Sequence, residues 1–285
     1  MLLLWLQAPG SSRRSSHLAA PASRLHIFSQ ARQQVKVTES TQAPRHPPST
    51  CTSIAVMEYK LIGPEHYEQV IDHLRRNFFA DEPLNKAAGL CQKGFGNSEL
   101  EHHSLETLHD KLSLMAVDRS EGPEQEECKI AGVILNGILR PGDTAQALQK
   151  LQASSDLNFK KIFELLYSHN LKVDLFGRFK VDRIFDVRIL SVDASYRGQG
   201  IAKELVRHAE SLARKRGFRL LKADATGIFS QKILRSHGFE LFSEQLYAKY
   251  TDAGGQVVLP VEAPHIKLQL LTKKVGHDDE DEDPQ

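Results

Sequence analysis

The stretch V-R-I-L-S-V-D-A-S-Y-R-G-Q-G-I-A, at residues 187–202, joins an apolar run to a loop that holds Gly198 and Gly200. The apolar run predicts a strand, and the residues after the loop have the spacing of an amphipathic helix. Glycine permits positive φ values and a close approach of the backbone to a ligand. Several N–H groups can therefore point at one anion above the positive end of the helix. This arrangement predicts a cradle for a pyrophosphate group.

Two common phosphate-binding motifs do not fit this loop. The dinucleotide motif G-x-G-x-x-G needs a third glycine, where this chain has Lys203, and the motif G-x-x-x-x-G-K-[ST] of nucleotide hydrolases is absent. Two interpretations of the loop remain open at this point. It either binds the diphosphate of coenzyme A or simply turns a strand into a helix.

The composition, with 40% hydrophobic and 26% charged residues, is typical of a globular protein. The formal net charge is +1, so no global field attracts nucleic acid or an anionic membrane. The first apolar run, residues 1–6, is far shorter than the roughly 20 residues that span a bilayer. Cys51, Cys91 and Cys128 lack the spacing of a disulfide framework or a zinc site. We therefore expect no nucleic-acid partner, no membrane, no metal and a reducing compartment.

The two ends of the chain differ in composition from its middle. Residues 1–38 contain no Asp or Glu but interleave arginine with serine, which resembles a transit peptide. Residues 277–285 form an acidic run. We expect a disordered leader and linker at 1–56, one domain at 57–276 and an acidic disordered tail. The expected location is the cytoplasm, or the mitochondrion if residues 1–56 are a genuine transit peptide.

Hydrophobic spacing between residues 57 and 276 predicts strands that alternate with helices around a mixed sheet, an α/β or α+β domain. An antiparallel hairpin is expected at 112–139, and Asp156 is expected to cap a helix. The predicted strands are 58–62, 112–117, 130–139, 183–192, 218–225, 241–250 and 266–271, and the predicted helices begin at residues 64, 157, 201 and 230.

Three segments together resemble one family. They are F-F-A-D-E-P-L-N at 78–85, I-L-S-V-D-A-S-Y-R-G-Q-G-I-A at 189–202 and A-P-H-I-K-L-Q at 263–269. These segments, with R-x-x-G-x-A at 197–202, resemble the arthropod arylalkylamine N-acetyltransferases of the GNAT superfamily. The resemblance implies a monomeric α/β (α+β) fold with a mostly antiparallel sheet flanked by helices. It also implies transfer of an acetyl group from acetyl-CoA to dopamine, serotonin, tyramine or octopamine. We expect direct transfer in a ternary complex, because no cysteine has a setting that suits a nucleophile.

The implied reaction needs a base, because an arylalkylamine carries a proton at neutral pH and an ammonium has no lone pair. Glu82 is the candidate. It follows Phe78 and Phe79, and Pro83 pushes it toward extended geometry, so it can be partly desolvated with a raised pKa. The resemblance implies the same role. The alternative is a solvated carboxylate at a helix exit.

The departing thiolate benefits from a hydroxyl donor near the start of the last helix. The resemblance implies a pair of hydroxyls four residues apart, which here are Thr226 and Ser230; the family has serine at both positions. A serine that opens a helix is also a common N-cap. Phe78 and Phe79 are candidate walls for an aromatic amine, as is Phe176, and His265 is expected to border the amine pocket.

The resemblance also implies which residues hold acetyl-CoA. The strand edge at Leu190, Ser191 and Val192 is expected to pair with the pantetheine arm. The glycine loop is expected to hold the diphosphate, through Arg197, Gly198, Gln199, Gly200, Ile201, Ala202 and Lys203. Two rivals remain open. One is an acetyltransferase of the same fold acting on polyamines or other small amines, which the pocket loops at 84–97 and 171–180 would decide. The other is a coenzyme A-binding module without catalysis.

Overall fold

A seven-stranded sheet forms the centre of the domain. The computed structural model describes residues 57–120 and 129–276, so the predicted leader and tail, Cys51 and Cys128 lie outside the described residues. The strands are β1 (Met57–Leu61), β2 (Leu114–Asp118), β3 (Lys129–Leu139), β4 (Ile184–Val192), β5 (Leu220–Ala225), β6 (Glu240–Leu246) and β7 (Lys267–Lys274). Their order in the sheet is β1-β2-β3-β4-β5-β7-β6. Among these strands, β4 and β5 pair in parallel and the other neighbours are antiparallel.

Eight helices are present in the described residues. They are α1 (Tyr67–Asn77), α2 (Pro83–Ala88), α3 (Ser98–His109), α4 (Asp143–Leu151), α5 (Leu157–Leu171), α6 (Leu175–Phe179), α7 (Ile201–Lys215) and α8 (Ile228–Ser236). None of them is long and apolar enough to cross a membrane.

Helices cover the sheet on both faces. On one face α1, α2, α3 and α5 bury residues such as Leu74 and Phe163 against Val133. On the other face α7 presents an apolar stripe, including Leu205 and Ala209, to the sheet. The spacing of four residues places both side chains on one side of the helix. The sheet is therefore the middle layer of the domain.

The sheet opens between β4 and β5. The two strands pair only at Phe185–Val187 with Leu221–Ala223, although β4 continues to Val192 and β5 to Ala225. The register of β4 against β3 also skips Arg188, since Leu135 pairs with Ile189 and Asn136 with Val187. A bulge of this kind bends a strand and redirects its side chains. The last residues of β4 thus have no strand partner on the β5 side.

The predicted strands and the hairpin agree with the structure apart from their ends. Asp156 caps α5 as expected, since its Oδ1 accepts the amides of Asn158 and Phe159 at 3.0 Å. The expectation of loops at 84–97 and 171–180 was wrong in part, because α2 extends into the first range and α6 lies within the second. The bounds of α3 and α4 were not predicted. The apolar residues of α3 have weak helical spacing, and α4 has only two large apolar residues, Leu148 and Leu151.

Candidate active site

Two cavities meet where β4 and β5 separate. A groove of about 770 Å³ is lined by the ends of both strands, the glycine loop and the start of α8. An inner cavity of about 280 Å³ lies among α3, α4, α5 and the same two strands. Both cavities are lined by six shared residues: Phe78, Glu82, Val187, Arg188, Asp224 and Thr226. A group bound in the groove and a group bound in the inner cavity would therefore come together at Glu82.

The glycine loop has the geometry that the sequence predicted. Gly198 and Gly200 have φ values of 83° and 82°, and no atom lies within 4 Å of a Cβ built on either. Within the described part of the chain, the amides of residues 198–201 donate no hydrogen bond to a backbone carbonyl. These free donors lie at the start of α7, where the helix dipole favours an anion.

The groove contains nearly all the residues expected to hold acetyl-CoA. Leu190, Ser191 and Val192 line it along the unpaired side of β4, and the glycine loop lines it through Arg197, Gly198, Gly200, Ile201, Ala202 and Lys203. Gln199 is the exception, since it is exposed and does not line the groove.

Glu82 is held in place by two donors. It is the N-cap of α2, with Oε2 accepting the amide of Asn85 at 2.7 Å, while Oε1 accepts the Thr226 hydroxyl at 2.6 Å. Burial raises the pKa of the Glu82 carboxyl and outweighs the hydrogen bonds, which lower it. The predicted extended geometry before Pro83 is present, with φ −66° and ψ 131°. Glu82 is thus a fixed carboxylate of raised pKa, not a solvated residue at a helix exit.

Thr226 is itself held in place by a hydrogen bond to its backbone. Its carbonyl accepts the hydroxyl of Tyr247 at 2.7 Å, and Tyr247 is buried in the core on the α1 side of the sheet. Burial raises the pKa of Tyr247, and the charge of Glu82 adds to this, so the phenol keeps its proton. Thr226 therefore orients Glu82, a contact that the sequence did not reveal.

Ser230 and His265 lie at the start of α8. The helix begins at Ile228, so Ser230 is not its N-cap; its hydroxyl donates to the carbonyl of Gly227 at 2.9 Å. His265 supplies the cap, since its Nδ1 accepts the amide of Ile228 at 3.1 Å. The neutral ring then carries its proton on Nε2. Both side chains line the groove, and His265 lies outside the lining of the inner cavity.

The inner cavity combines an aromatic wall with acidic groups. Phe78 lines it as expected, together with Phe163 and Tyr167 of α5. The placement of Phe79 in the amine pocket is wrong, because its side chain is 0% exposed and packs in the core. Consecutive residues at the end of α1 point in different directions, so only one of the two phenylalanines reaches the cavity. Phe176 is also absent from the lining and packs against another part of the core.

Charged residues inside two strands complete the inner cavity. Lys222, 4% exposed, has its Nζ 2.7 Å from Asp224 Oδ2 and 3.2 Å from Asp186 Oδ1. Burial lowers the pKa of Lys222, but the two carboxylates outweigh it and raise the pKa above its ordinary value. Arg188 donates to the other oxygen of Asp186 at 3.0 Å. Sequence reasoning missed this cluster, although charged residues inside apolar strands were a signal for it.

Cys91, the one cysteine in the described residues, does not suit nucleophilic catalysis. Burial raises its pKa to about 11, and the charges of Asp156 and Glu101 act in the same direction. A thiol of this kind stays protonated at neutral pH. No cluster of three or more His, Cys, Asp or Glu side chains that could hold a metal ion occurs in the described ranges.

Comparisons with known proteins agree with this geometry. The Acetyltransferase (GNAT) family model matches residues 179–239. The crystal structure of arylalkylamine N-acetyltransferase 2 from Aedes aegypti is 46% identical over 77% of this chain and 99% of that chain, with a TM-score of 0.73. A mosquito arylalkylamine N-acetyltransferase like 5b is 23% identical over 77% and 100%, with a TM-score of 0.69. The Drosophila melanogaster polyamine N acetyltransferase is 20% identical over the same shares, with a TM-score of 0.67. The last two show a common fold only.

Proposed function

Because this chain belongs to the arylalkylamine N-acetyltransferase family, we propose that it transfers the acetyl group of acetyl-CoA directly to the primary amine of an arylalkylamine. The observation that carries this proposal is the meeting of two cavities at Glu82. The groove is the larger cavity and includes the glycine loop, and the inner cavity is smaller and has an aromatic wall. Direct transfer needs both substrates bound at once with their reacting groups in contact.

The groove residues fit acetyl-CoA, which supplies the acetyl thioester. The open space above Gly198 and Gly200 and the free amides after them suit a diphosphate. The unpaired side of β4 at Leu190 and Val192 offers backbone donors and acceptors to the amide groups of the pantetheine arm. In this arrangement the glycine loop and β4 bind and orient the donor, and the thioester end points toward Glu82.

Glu82 is the proposed base. The carboxylate takes a proton from the bound ammonium, so that the amine nitrogen gains the lone pair with which it attacks. Burial raises the pKa of Glu82, which makes it a better proton acceptor near neutral pH. Thr226 keeps Oε1 oriented through its hydrogen bond. We assign Thr226 as a positioning residue because its hydroxyl donates to the Glu82 carboxylate.

Ser230 is the proposed donor to the departing thiolate. It lines the groove at the start of α8, near Thr226. Its proton is directed at the carbonyl of Gly227, so donation to sulfur requires a rotation of the hydroxyl. A hydroxyl rotates easily about its C–O bond. The helix dipole at this end of α8 also favours the developing negative charge.

The lining of the inner cavity favours an aryl amine over a polyamine. Phe78, Phe163 and Tyr167 give it an aromatic wall, which suits a ring. Its carboxylates would also accept a second ammonium, which is the argument for the polyamine alternative. A coenzyme A-binding module without catalysis is less consistent with a Glu82 that is oriented by two donors at the junction of the cavities.

The test is thiol release from acetyl-CoA with dopamine, serotonin, tyramine, spermidine and a lysine peptide, using the full chain and its Glu82→Gln variant. We expect turnover with the aryl amines, and a fall of about 10² or more in the variant, because glutamine cannot accept the proton. Acetyl-CoA affinity should be nearly unchanged, since Glu82 does not contact the phosphate loop. Thiol release with spermidine alone would favour the rival substrate class, and unaltered turnover in the variant would remove Glu82 from the mechanism.

We also propose that the protein acts as a monomer in the cytoplasm. Light scattering of the purified chain tests the first point. For the second, microscopy of the full chain and of a form without residues 1–56 distinguishes cytoplasmic from mitochondrial location. Co-localisation of the full chain alone with mitochondria would contradict the proposed location.

A further inference from the structure

Two residues that line the inner cavity each have a buried acceptor atom without a donor. Asn170 of α5 is 9% exposed and lines the cavity, and its Oδ1 has no hydrogen-bond partner among the described residues. The same holds for Oδ1 of Asp224, which lines both cavities. A buried acceptor without a donor is costly, and native proteins rarely retain one without a reason. Two such atoms in one binding cavity point to a ligand that donates hydrogen bonds.

Hydrogen bonds fix the orientation of both side chains. Asn170 Nδ2 donates to the carbonyl of Leu166 at 2.8 Å and to Asp224 Oδ2 at 2.9 Å, which leaves Oδ1 on the opposite side of the amide. Asp224 Oδ2 also accepts Lys222 Nζ at 2.7 Å. Each residue therefore uses one atom for the protein and keeps one free acceptor.

The free acceptors lie at a useful distance from the base. Lys222 and Asp224 alternate with Ala223 and Ala225 on β5 and so share one face of the strand. Thr226 directly follows the strand, and all three residues line the inner cavity. Two residues along a strand span about 7 Å. Thr226 contacts Glu82, so Asp224 lies about 7 Å along the backbone from a residue that touches the proposed base, which is comparable to the separation of the amine nitrogen from the ring hydroxyl in an arylethylamine.

We propose that Asp224 and Asn170 are specificity-determining residues, which accept hydrogen bonds from a hydroxyl on the ring of the amine substrate. The proposal rests on the proposed function. The amine end of the substrate lies at Glu82, the ring packs along Phe78 and Tyr167, and the ring hydroxyl reaches the two free oxygens. A site built to hydrogen-bond a hydroxyl discriminates against the analogue that lacks it, because its acceptors then stay unpaired.

The test compares kcat/KM for tyramine with that for phenylethylamine, which lacks the ring hydroxyl. The full chain should prefer tyramine. In Asp224→Asn the amide oxygen should stay at the Oδ2 position, since Lys222 Nζ and Asn170 Nδ2 both donate there. Its –NH₂ group then faces the cavity and replaces an acceptor by a donor. We expect the tyramine preference to fall about tenfold in this variant.

Asp186→Asn is the matched control. It also removes a negative charge beside Lys222, but both oxygens of Asp186 are already bonded, to Lys222 and to Arg188. The ratio of the two substrates should therefore stay as in the full chain. Asn170→Leu removes the other free acceptor at similar volume and should also lower the ratio, so it carries the test if Asp224→Asn does not fold.

The outcomes are distinct. An unchanged ratio in both Asp224→Asn and Asn170→Leu, or a full chain that does not prefer tyramine, would overturn this inference while leaving arylalkylamine acetylation intact. If these variants lowered kcat/KM for agmatine more than kcat/KM for tyramine, the acceptors would bind a second cationic group of the substrate. That result would contradict their assignment to a ring hydroxyl. A full chain that acetylates none of these amines would refute the proposed function itself.

Discussion

At the scale of single residues, the Glu82 carboxylate depends on a hydroxyl that is distant in the sequence. Thr226 donates to Oε1 at 2.6 Å, and the amide of Asn85 donates to Oε2. Burial raises the pKa of Glu82, and these hydrogen bonds oppose the rise. The balance sets the pH at which the base becomes available. It also explains why a threonine serves at this position, since only its hydroxyl is needed.

Thr226→Val should move the acidic limb of the pH profile. Valine has the shape of threonine without the hydroxyl, so the pKa of Glu82 loses an opposing contribution and rises further. The base then stays protonated up to a higher pH. The acidic limb of the kcat/KM profile should therefore shift about one pH unit toward higher pH. A pH–rate profile of kcat/KM measures this.

Thr226→Ser is the control for that change. It keeps the hydroxyl and removes only a methyl group, so the limb should stay where it is in the unmodified chain. If valine and serine gave the same profile, the hydrogen bond to Glu82 would have no part in setting its pKa.

At the scale of elements, the glycine loop and α7 together form the proposed anion site. Gly200 is the N-cap of α7, with φ 82°. A side chain there would be strained and would also stand in the space where the backbone must approach a diphosphate. The loop suits an anion because it is followed by a helix of 15 residues, Ile201–Lys215, and because the amides of residues 198–201 donate to no backbone carbonyl in the described part of the chain.

Gly200→Val should weaken the binding of coenzyme A by at least about tenfold in isothermal calorimetry. The backbone strain alone costs roughly 1–3 kcal/mol of stability. Gly255→Val is a matched control, because Gly255 has φ 79°, equally open surroundings and no place in the groove. It should show a similar loss of stability with unchanged affinity. Equal affinity in the two variants would refute the cradle.

At the scale of the whole molecule, a buried histidine links a helix to the strand that lines the groove. His73 of α1 lies 3.0 Å, through Nε2, from the hydroxyl of Ser191 on β4, and it is 6% exposed. Burial lowers its pKa from 6.5 to about 4, against the charge of Asp193, which raises it. The folded protein thus holds this histidine neutral at pH values where the unfolded chain binds a proton.

The free energy of unfolding should therefore decrease as the pH falls from 6.5 toward 4. Above pH 6.5 both states are neutral at this position, and the contribution is constant. Below it the unfolded state gains the proton first, at a cost to stability on the order of 2–3 kcal/mol. In His73→Gln this contribution should vanish, which urea unfolding at several pH values measures. The exposed His102→Gln should retain it; equal slopes in both variants would contradict the assignment.

The linear pattern predicted much of the fold, for local reasons. Alternation and helical spacing identified the strands and α7, and Asp156 identified the start of α5. The glycines at 198 and 200 predicted the anion cradle, since their positive φ values follow from backbone sterics alone. The bounds of α3 and α4 were missed because α3 has weak helical spacing of its apolar residues and α4 has few large apolar residues.

The sequence by itself determined which residues had the chemistry: a carboxylate before a proline, a glycine loop before a helix, and hydroxyls near a later helix. Only the tertiary structure decided which of them meet. It brought Thr226 to Glu82 across a separation of 144 residues, moved Phe79 into the core and placed Asp224 beside Asn170. The reason is that burial and contacts between distant segments depend on how the elements pack, and such long-range pairings have no signature in a local run of residues.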